Sequence, residues 1–178
     1  TFNQIRYGLY DNKDYGNVKG LEVKYDFLSG KFSSFLNYTL QFTRGNADNP
    51  TQTFSRAGDS KDPVPRLIPM SWDQRHTLNV TVGYNEKNYG LTTTLYYDSG
   101  SPYTFEPVAE DLLARVNLYP NNAWRPSRLS SDITAHYTMR LSGGIGLRFT
   151  VIAYNILDRL NENGVYARTG RAYRDIIT

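Results

Sequence analysis

The sequence has no cysteine. That removes disulfide staples, thiolate nucleophiles and cysteine-based metal sites together. It has two histidines, His76 and His136, too few for a zinc site of ordinary ligand spacing. No apolar run comes near the ~18 residues that a membrane helix needs, and mean hydropathy is −0.55. Neither sign of charge dominates: 20 Lys and Arg mix with 17 Asp and Glu for a net charge of +3. So mild a balance gives no reason to expect a nucleic-acid partner. No Gly-rich phosphate loop is present, because Ser142-Gly143-Gly144 reads as a hairpin turn. No secretory leader is visible at Thr1. The chain opens inside a weakly alternating strand, Thr1 to Tyr10, so we expect a fragment of a longer protein.

What the sequence does have is alternation. From Val18 to Phe27 one set reads Leu21, Val23, Tyr25, Phe27, and the interleaved set reads Val18, Gly20, Glu22, Lys24, Asp26. Successive side chains of a strand point to opposite faces, so one face is apolar and the other polar. The pattern returns at Phe32, Leu36, Tyr38, Leu40 and Phe42, and again at Leu78, Val80, Val82 and Tyr84. It recurs at Tyr89, Leu91, Leu95, Tyr97, at Ile133, Ala135, Tyr137, Met139, Leu141, and at Leu147, Phe149, Val151, Ala153. The joints alternate too. Those at 29–31, 85–88 and 142–144 are tight, whereas 44–74 and 99–127 are long, polar and Pro-containing. This rhythm predicts an all-β, antiparallel up-and-down meander of about seven strands with its long loops at one end.

A soluble β-sandwich can use the same alternation with its apolar set turned inward. Three features favour a membrane barrel. The strands exceed the usual ~5–6 residues and match the ~9–11 needed to cross a bilayer. The tight joints share one end, whereas Greek-key sandwiches mix loop lengths at both. Aromatic residues form two levels on the apolar face: Phe27, Phe32, Tyr84, Tyr89 and Tyr137 towards the tight turns, and Tyr38, Phe42 and Tyr97 towards the long loops. The polar set includes Glu22, Lys24, Asp26, Asn37, Gln41, Asn79, Asp98, Asp132, His136, Arg140 and Arg148. So polar a face suits a wide lumen, which about seven strands cannot close. The chain is therefore expected to be one arc of a larger wall.

Four short blocks carry a family resemblance. They are Tyr15-Gly16-Asn17-Val18-Lys19-Gly20-Leu21-Glu22, Trp72-Asp73-Gln74-Arg75-His76-Thr77-Leu78-Asn79, Ser99-Gly100-Ser101-Pro102-Tyr103-Thr104, and Asn155-Ile156-Leu157-Asp158-Arg159-Leu160-Asn161 with Val165-Tyr166-Ala167 and Thr169-Gly170-Arg171-Ala172. In order and spacing they resemble the C-terminal third of the barrel of TonB-dependent outer-membrane receptors. The subgroup with a carboxypeptidase-regulatory-like N-terminal domain is the most similar. The resemblance implies that 1–178 is part of a 22-stranded barrel in the outer membrane of a Gram-negative-type bacterium. It implies import of a scarce nutrient (siderophore, vitamin, saccharide or peptide) with energy transduced by TonB. The implied partners are the TonB–ExbB–ExbD complex, reached through an N-terminal part this sequence does not contain, outer-membrane lipid, the nutrient, and a surface lipoprotein. The plug domain and the family's last strand with its terminal aromatic are not in this sequence. A passive porin-like barrel is the main alternative, with an outer-membrane enzyme behind it.

Candidate ligand contacts follow from the loops and lumen: Arg44, Arg66, Trp72, Asp98, Tyr103, Trp124 and Arg159. The loop 44–74 balances Arg44, Arg56, Lys61 and Arg66 against Asp48, Asp59, Asp62 and Asp73, so it favours no ligand charge. Trp72 and Trp124 stand where loops rejoin strands, a place for interfacial anchors as well as for ligand stacking. Residues 107–116 carry a proline followed by helix formers and suggest a short loop helix. Asp132, His136 and Arg140 share the polar face, but strand residues four apart are ~13 Å apart and make no catalytic triad. We expect no catalytic residue, no metal and no cofactor.

Overall fold

The computed structural model describes residues 15–48, 67–107 and 119–173. Among them are strands and turns but no helix. Six long strands, β1 (Gly16–Ser29), β2 (Phe32–Gly45), β4 (His76–Asn85), β5 (Tyr89–Asp98), β8 (Arg128–Arg140) and β9 (Gly146–Ala153), carry the architecture. Three two-residue strands, β3 (Ile68–Pro69), β6 (Pro102–Tyr103) and β7 (Ala123–Trp124), lie in the long connections. The main sheet runs β1-β2-β4-β5-β8-β9, with β3 added beside the end of β2, and every pairing is antiparallel. It is an up-and-down meander, and it is not closed: β1 and β9 are its edges. The seventh strand of this sheet is β3; Thr1 to Tyr10 lies outside the described residues.

Register shows that the alternation is one continuous face. Leu21 pairs with Leu40, Tyr25 with Leu36, and Leu36 in turn with Val80. Val80 pairs with Leu95, Leu91 with Ala135, and Ala135 with Val151. Directly opposed residues project to the same side, so the apolar sets of all six long strands merge. The polar sets merge on the other side: Lys24 with Asn37, Asn37 with Asn79, Thr94 with Asp132, and Thr138 with Arg148. A one-residue slip anywhere would have put one strand's apolar set among its neighbours' charges.

Tight turns make that register cheap to reach. Gly30 has φ 59°, and Gly143 and Gly144 have φ 85° and 80°, a region that side chains with a Cβ rarely enter. All three tight turns lie at one end, as expected. There the aromatic level is in contact: the Phe32 and Tyr84 rings are 4.9 Å apart edge to face, and Tyr84 and Tyr89 are 6.1 Å apart.

The sheet is a single layer, so its apolar face is uncovered. Leu21 is 57% exposed, Phe149 57% and Val151 68%. The buried side chains gather instead at the long-loop end: Ile68, Met70, Thr43, Asp73, Pro102, Asn121 and Ser131. β3, β6 and β7 escape the sequence reading because two residues have no measurable period. β8 also begins earlier than Asp132, because Leu129 continues the apolar face opposite Tyr97 while Ser130 and Ser131 blur the alternation. The helix expected over 107–116 falls almost wholly outside the described residues. No described helix is long and apolar enough to cross a membrane, a statement that does not bear on strands.

Candidate functional site

The long-loop end is where this chain builds structure from polar groups. Its anchor is Asp73, fully buried. One carboxylate oxygen accepts the Thr43 backbone N–H at 2.7 Å, and the other lies 3.7 Å from Nε of Arg75. The Arg75 guanidinium is held between two rings, 5.3 Å from the centre of Phe42 and 4.2 Å from that of Trp124. An arginine over an aromatic face gains from the ring quadrupole, most when partly desolvated. Thus β2, the approach to β4, and β7 are fastened by one acid, one base and two rings.

A second clamp is Asn121, buried and at φ 60°. Its amide donates to Asp48 at 2.6 Å and to the Pro69 carbonyl at 2.9 Å, and its backbone N–H donates to Thr104 at 3.1 Å. Asn tolerates the left-handed region better than most residues, which suits it to this bend. Gly100 allows a third close approach. A Cβ there would collide with the Arg125 carbonyl, so the chain after β5 can lie against the chain before β8 only with glycine at this position.

The third clamp sits on β8. Strand β9 covers β8 only from Ile133 onward. Beyond it, residues 155–161 take over. The Asn161 side-chain amide imitates a strand: it accepts the Leu129 N–H and donates to the Leu129 carbonyl, each at 2.9 Å. Asp132 accepts the Asn155 N–H at 2.9 Å, Ile156 donates to the Ser131 carbonyl at 2.8 Å, and Arg159 donates to the Ser127 carbonyl at 3.0 Å. Further on, Glu162 accepts the Ala172 N–H at 2.9 Å and lies 3.4 Å from Arg171. Gly170, at φ 67°, sits against the Tyr103 hydroxyl.

These contacts place the expected ligand residues. Asp98 accepts Gln74 at 2.7 Å and Arg128 at 2.9 Å. Tyr103 packs on Gly170, Trp124 on Arg75, and Arg159 on Ser127. Trp72 is 54% exposed. Arg44 is exposed and stands opposite Asn17, on the apolar side of the sheet. Arg66 lies outside the described residues. The seven do not converge on one point. A pocket of about 80 Å³ does lie beside the partners of Asp98, lined by Gln74, Ser99, Ser101, Arg125, Arg128 and Glu162. That volume is below the ~300 Å³ of a small-molecule site and suits one polar group or a few waters.

Asp132, His136 and Arg140 are spaced along the polar face of β8. Asp132 is taken by the Asn155 N–H, and His136 sits over Gly90, where a Cβ would strike the imidazole. No group of described acids and histidines could hold a metal ion. Sequence reading missed Arg75, Asn121, Arg125 and Asn161. Arg75 and Asn161 stand inside the blocks of resemblance, but their partners lie far along the chain.

At the opposite end, Lys31 and Glu86 form an ion pair joining two tight turns, and the Tyr84 hydroxyl donates to Glu86 at 3.0 Å. Lys31 lowers the pKa of the Glu86 carboxyl, with help from Tyr84; Glu86 raises that of Lys31.

Comparison of the chain with protein-family models, curated proteins and solved structures gives no match.

Proposed function

We propose that this chain is the C-terminal barrel segment of a TonB-dependent outer-membrane receptor that imports a scarce nutrient. The observation that supports this reading best is the two-faced meander: six long strands in register, an uncovered apolar face, and every tight turn at one end. A soluble protein rarely leaves a contiguous apolar face of this extent in water, whereas a lipid-facing wall requires one. The four sequence blocks add the family. On this reading the polar face lines the lumen, the clamped loop roots set the outer rim, and the plug and the TonB-contacting segment belong to the rest of the protein. The edges β1 and β9 pair with further strands of the same barrel, which removes unpaired backbone groups from lipid.

Two measurements test it on the full-length protein. Because this chain lacks cysteine, Val80→Cys and Thr81→Cys give labels of known position within it. A fluorophore at 80 is expected to be quenched by lipid-borne nitroxide and one at 81 by aqueous iodide; equal aqueous quenching at both rejects the membrane wall. Loss of TonB or of the proton gradient should abolish nutrient uptake. Uptake that persists unchanged selects the passive porin-like barrel instead.

A further inference from the structure

The apolar side of the sheet holds an asymmetry in charge. Across the six long strands, no apolar-side position is Asp or Glu. The Lys and Arg of that side are Lys19 and Arg44, and both lie at its long-loop rim. Lys19 stands directly opposite Phe42, and Arg44 opposite Asn17, two residues further along. Opposed residues on one face are ~5 Å apart, and same-face neighbours on a strand ~7 Å apart. Lys19 and Arg44 are exposed, and the Arg75 guanidinium reaches the same place over the Phe42 ring. Among the described residues, the acid beside any of the three is Asp73, which lies 3.7 Å from Arg75, is buried and spends one oxygen on the Thr43 N–H. Lys19 and Arg44 have no acid partner among the described residues, and the three cations stand around a half-exposed phenylalanine. The other rim of the same side carries Tyr25, Phe27, Phe32, Tyr84, Tyr89 and Tyr137, and the lysine beside them, Lys31 of the tight turn, is already paired with Glu86.

We propose that Lys19, Arg44 and Arg75, grouped around Phe42, bind the phosphate of an anionic lipid headgroup in the membrane leaflet at the long-loop end. The inference rests on the membrane-barrel reading. Acyl chains continue down the apolar face below Phe42, and the headgroup meets the cations at the level where that face ends. Arg75 is pre-set by its two rings, so little side-chain entropy is lost when it takes a phosphate oxygen. Lys19 and Arg44 reach outward as amphipathic side chains do at an interface, stems on apolar surface and charges in the headgroup layer. Three cations within reach of one headgroup match a phosphate's charge and acceptor oxygens.

The test uses the full-length barrel in micelles with equimolar phosphatidic acid and phosphatidylcholine, and native mass spectrometry of the lipid that stays bound. The protein is expected to retain phosphatidic acid preferentially, by roughly fivefold for each cation engaged. Lys19→Gln with Arg44→Gln should remove most of that preference, and Arg75→Lys part of it. Equal retention of the two lipids by the unaltered protein, or an unchanged preference in the double variant, overturns the proposal. Displacement of the lipid by millimolar inorganic phosphate also overturns it, since it marks a site for the free anion. The fluorophore at residue 80, read in vesicles of the same two lipids, separates this failure from failure of the membrane reading. Quenching by lipid nitroxide there, without phosphatidic acid preference, sinks only the headgroup site.

Discussion

The sheet and its loop roots are stabilised in opposite ways. In the sheet, apolar side chains are in register with one another but face outward, so their stability depends on what surrounds them. At the loop roots a small buried cluster forms within the chain, in which Ile68, Met70 and Pro102 lie with polar groups held by partners of the same chain: Asp73 by Thr43 and Arg75, Asn121 by Asp48 and Pro69, and nearby the Leu129 backbone by Asn161. On the proposed reading the sheet needs no internal core, because lipid supplies the apolar medium, whereas loop roots at a water boundary must supply their own small core and hydrogen bonds.

This contrast can be broken most sharply in the sheet. Val80→Arg puts a charge in the middle of the apolar face, opposite Leu36 and Leu95. We expect about 2–4 kcal/mol of destabilisation in a bilayer, and close to none for Thr81→Arg on the other side. Denaturant midpoints of the reconstituted full-length protein measure both, and equal effects would erase the distinction between the faces. Next comes Asp73→Ala, which leaves the buried Thr43 N–H and Arg75 without their partner; it should cost about 2–3 kcal/mol in any apolar host, detergent or bilayer alike. Smaller again is Asn161→Ala. It deletes two hydrogen bonds to the Leu129 backbone and should cost about 1–2 kcal/mol. Hydrogen exchange should then quicken at Leu129 and stay unchanged at Leu91, which is paired inside the sheet.

The smallest effect belongs to the tight turns. Glu86 is held below its ordinary 4.5 by Lys31, so its contribution is present above that pH and is lost as pH falls through the lowered folded-state value. Lys31 is raised above its ordinary 10.5, so its contribution is present below that pH and lost only as pH climbs through the raised value. Stability from this pair should be flat between those limits. Glu86→Gln should remove the acid-side dependence, seen as thermal midpoints that converge for the two proteins as pH drops below 4.5.

Several strands could be read with their ends. Tyr89–Asp98 carries Tyr89, Leu91, Leu95 and Tyr97 on one face, interrupted at Thr93, and is bounded by a tight joint and by Ser99-Gly100, so period and turn chemistry agree. Leu129 joined the same face only through its partner Tyr97, because the serines that follow it carry no periodic signal. At the loop roots even less was legible. Trp124 is visible as an aromatic at a junction, but its ring meets Arg75, far earlier in the chain. Asp98 was rightly placed on the polar side, yet its partners Gln74 and Arg128 come from either side of it along the chain. Arg44, read as the start of a long loop, belongs to β2 and lies on the apolar side, because the strand continues past the point where its alternation stops being apolar.

Period two is a local property of the chain, since successive side chains of any extended segment point to opposite faces. The sequence by itself therefore determined the six long strands, their two faces, the tight turns and the end to which the long loops belong. The up-and-down order followed from the rhythm of the joints, but the register, and which distant polar groups share a hydrogen bond or a charge, are non-local matters, settled only when the loops close. Tertiary structure alone decided that Asp73 and Asn121 are buried, that Asn161 stands in for a strand, and that Lys19, Arg44 and Arg75 meet around Phe42.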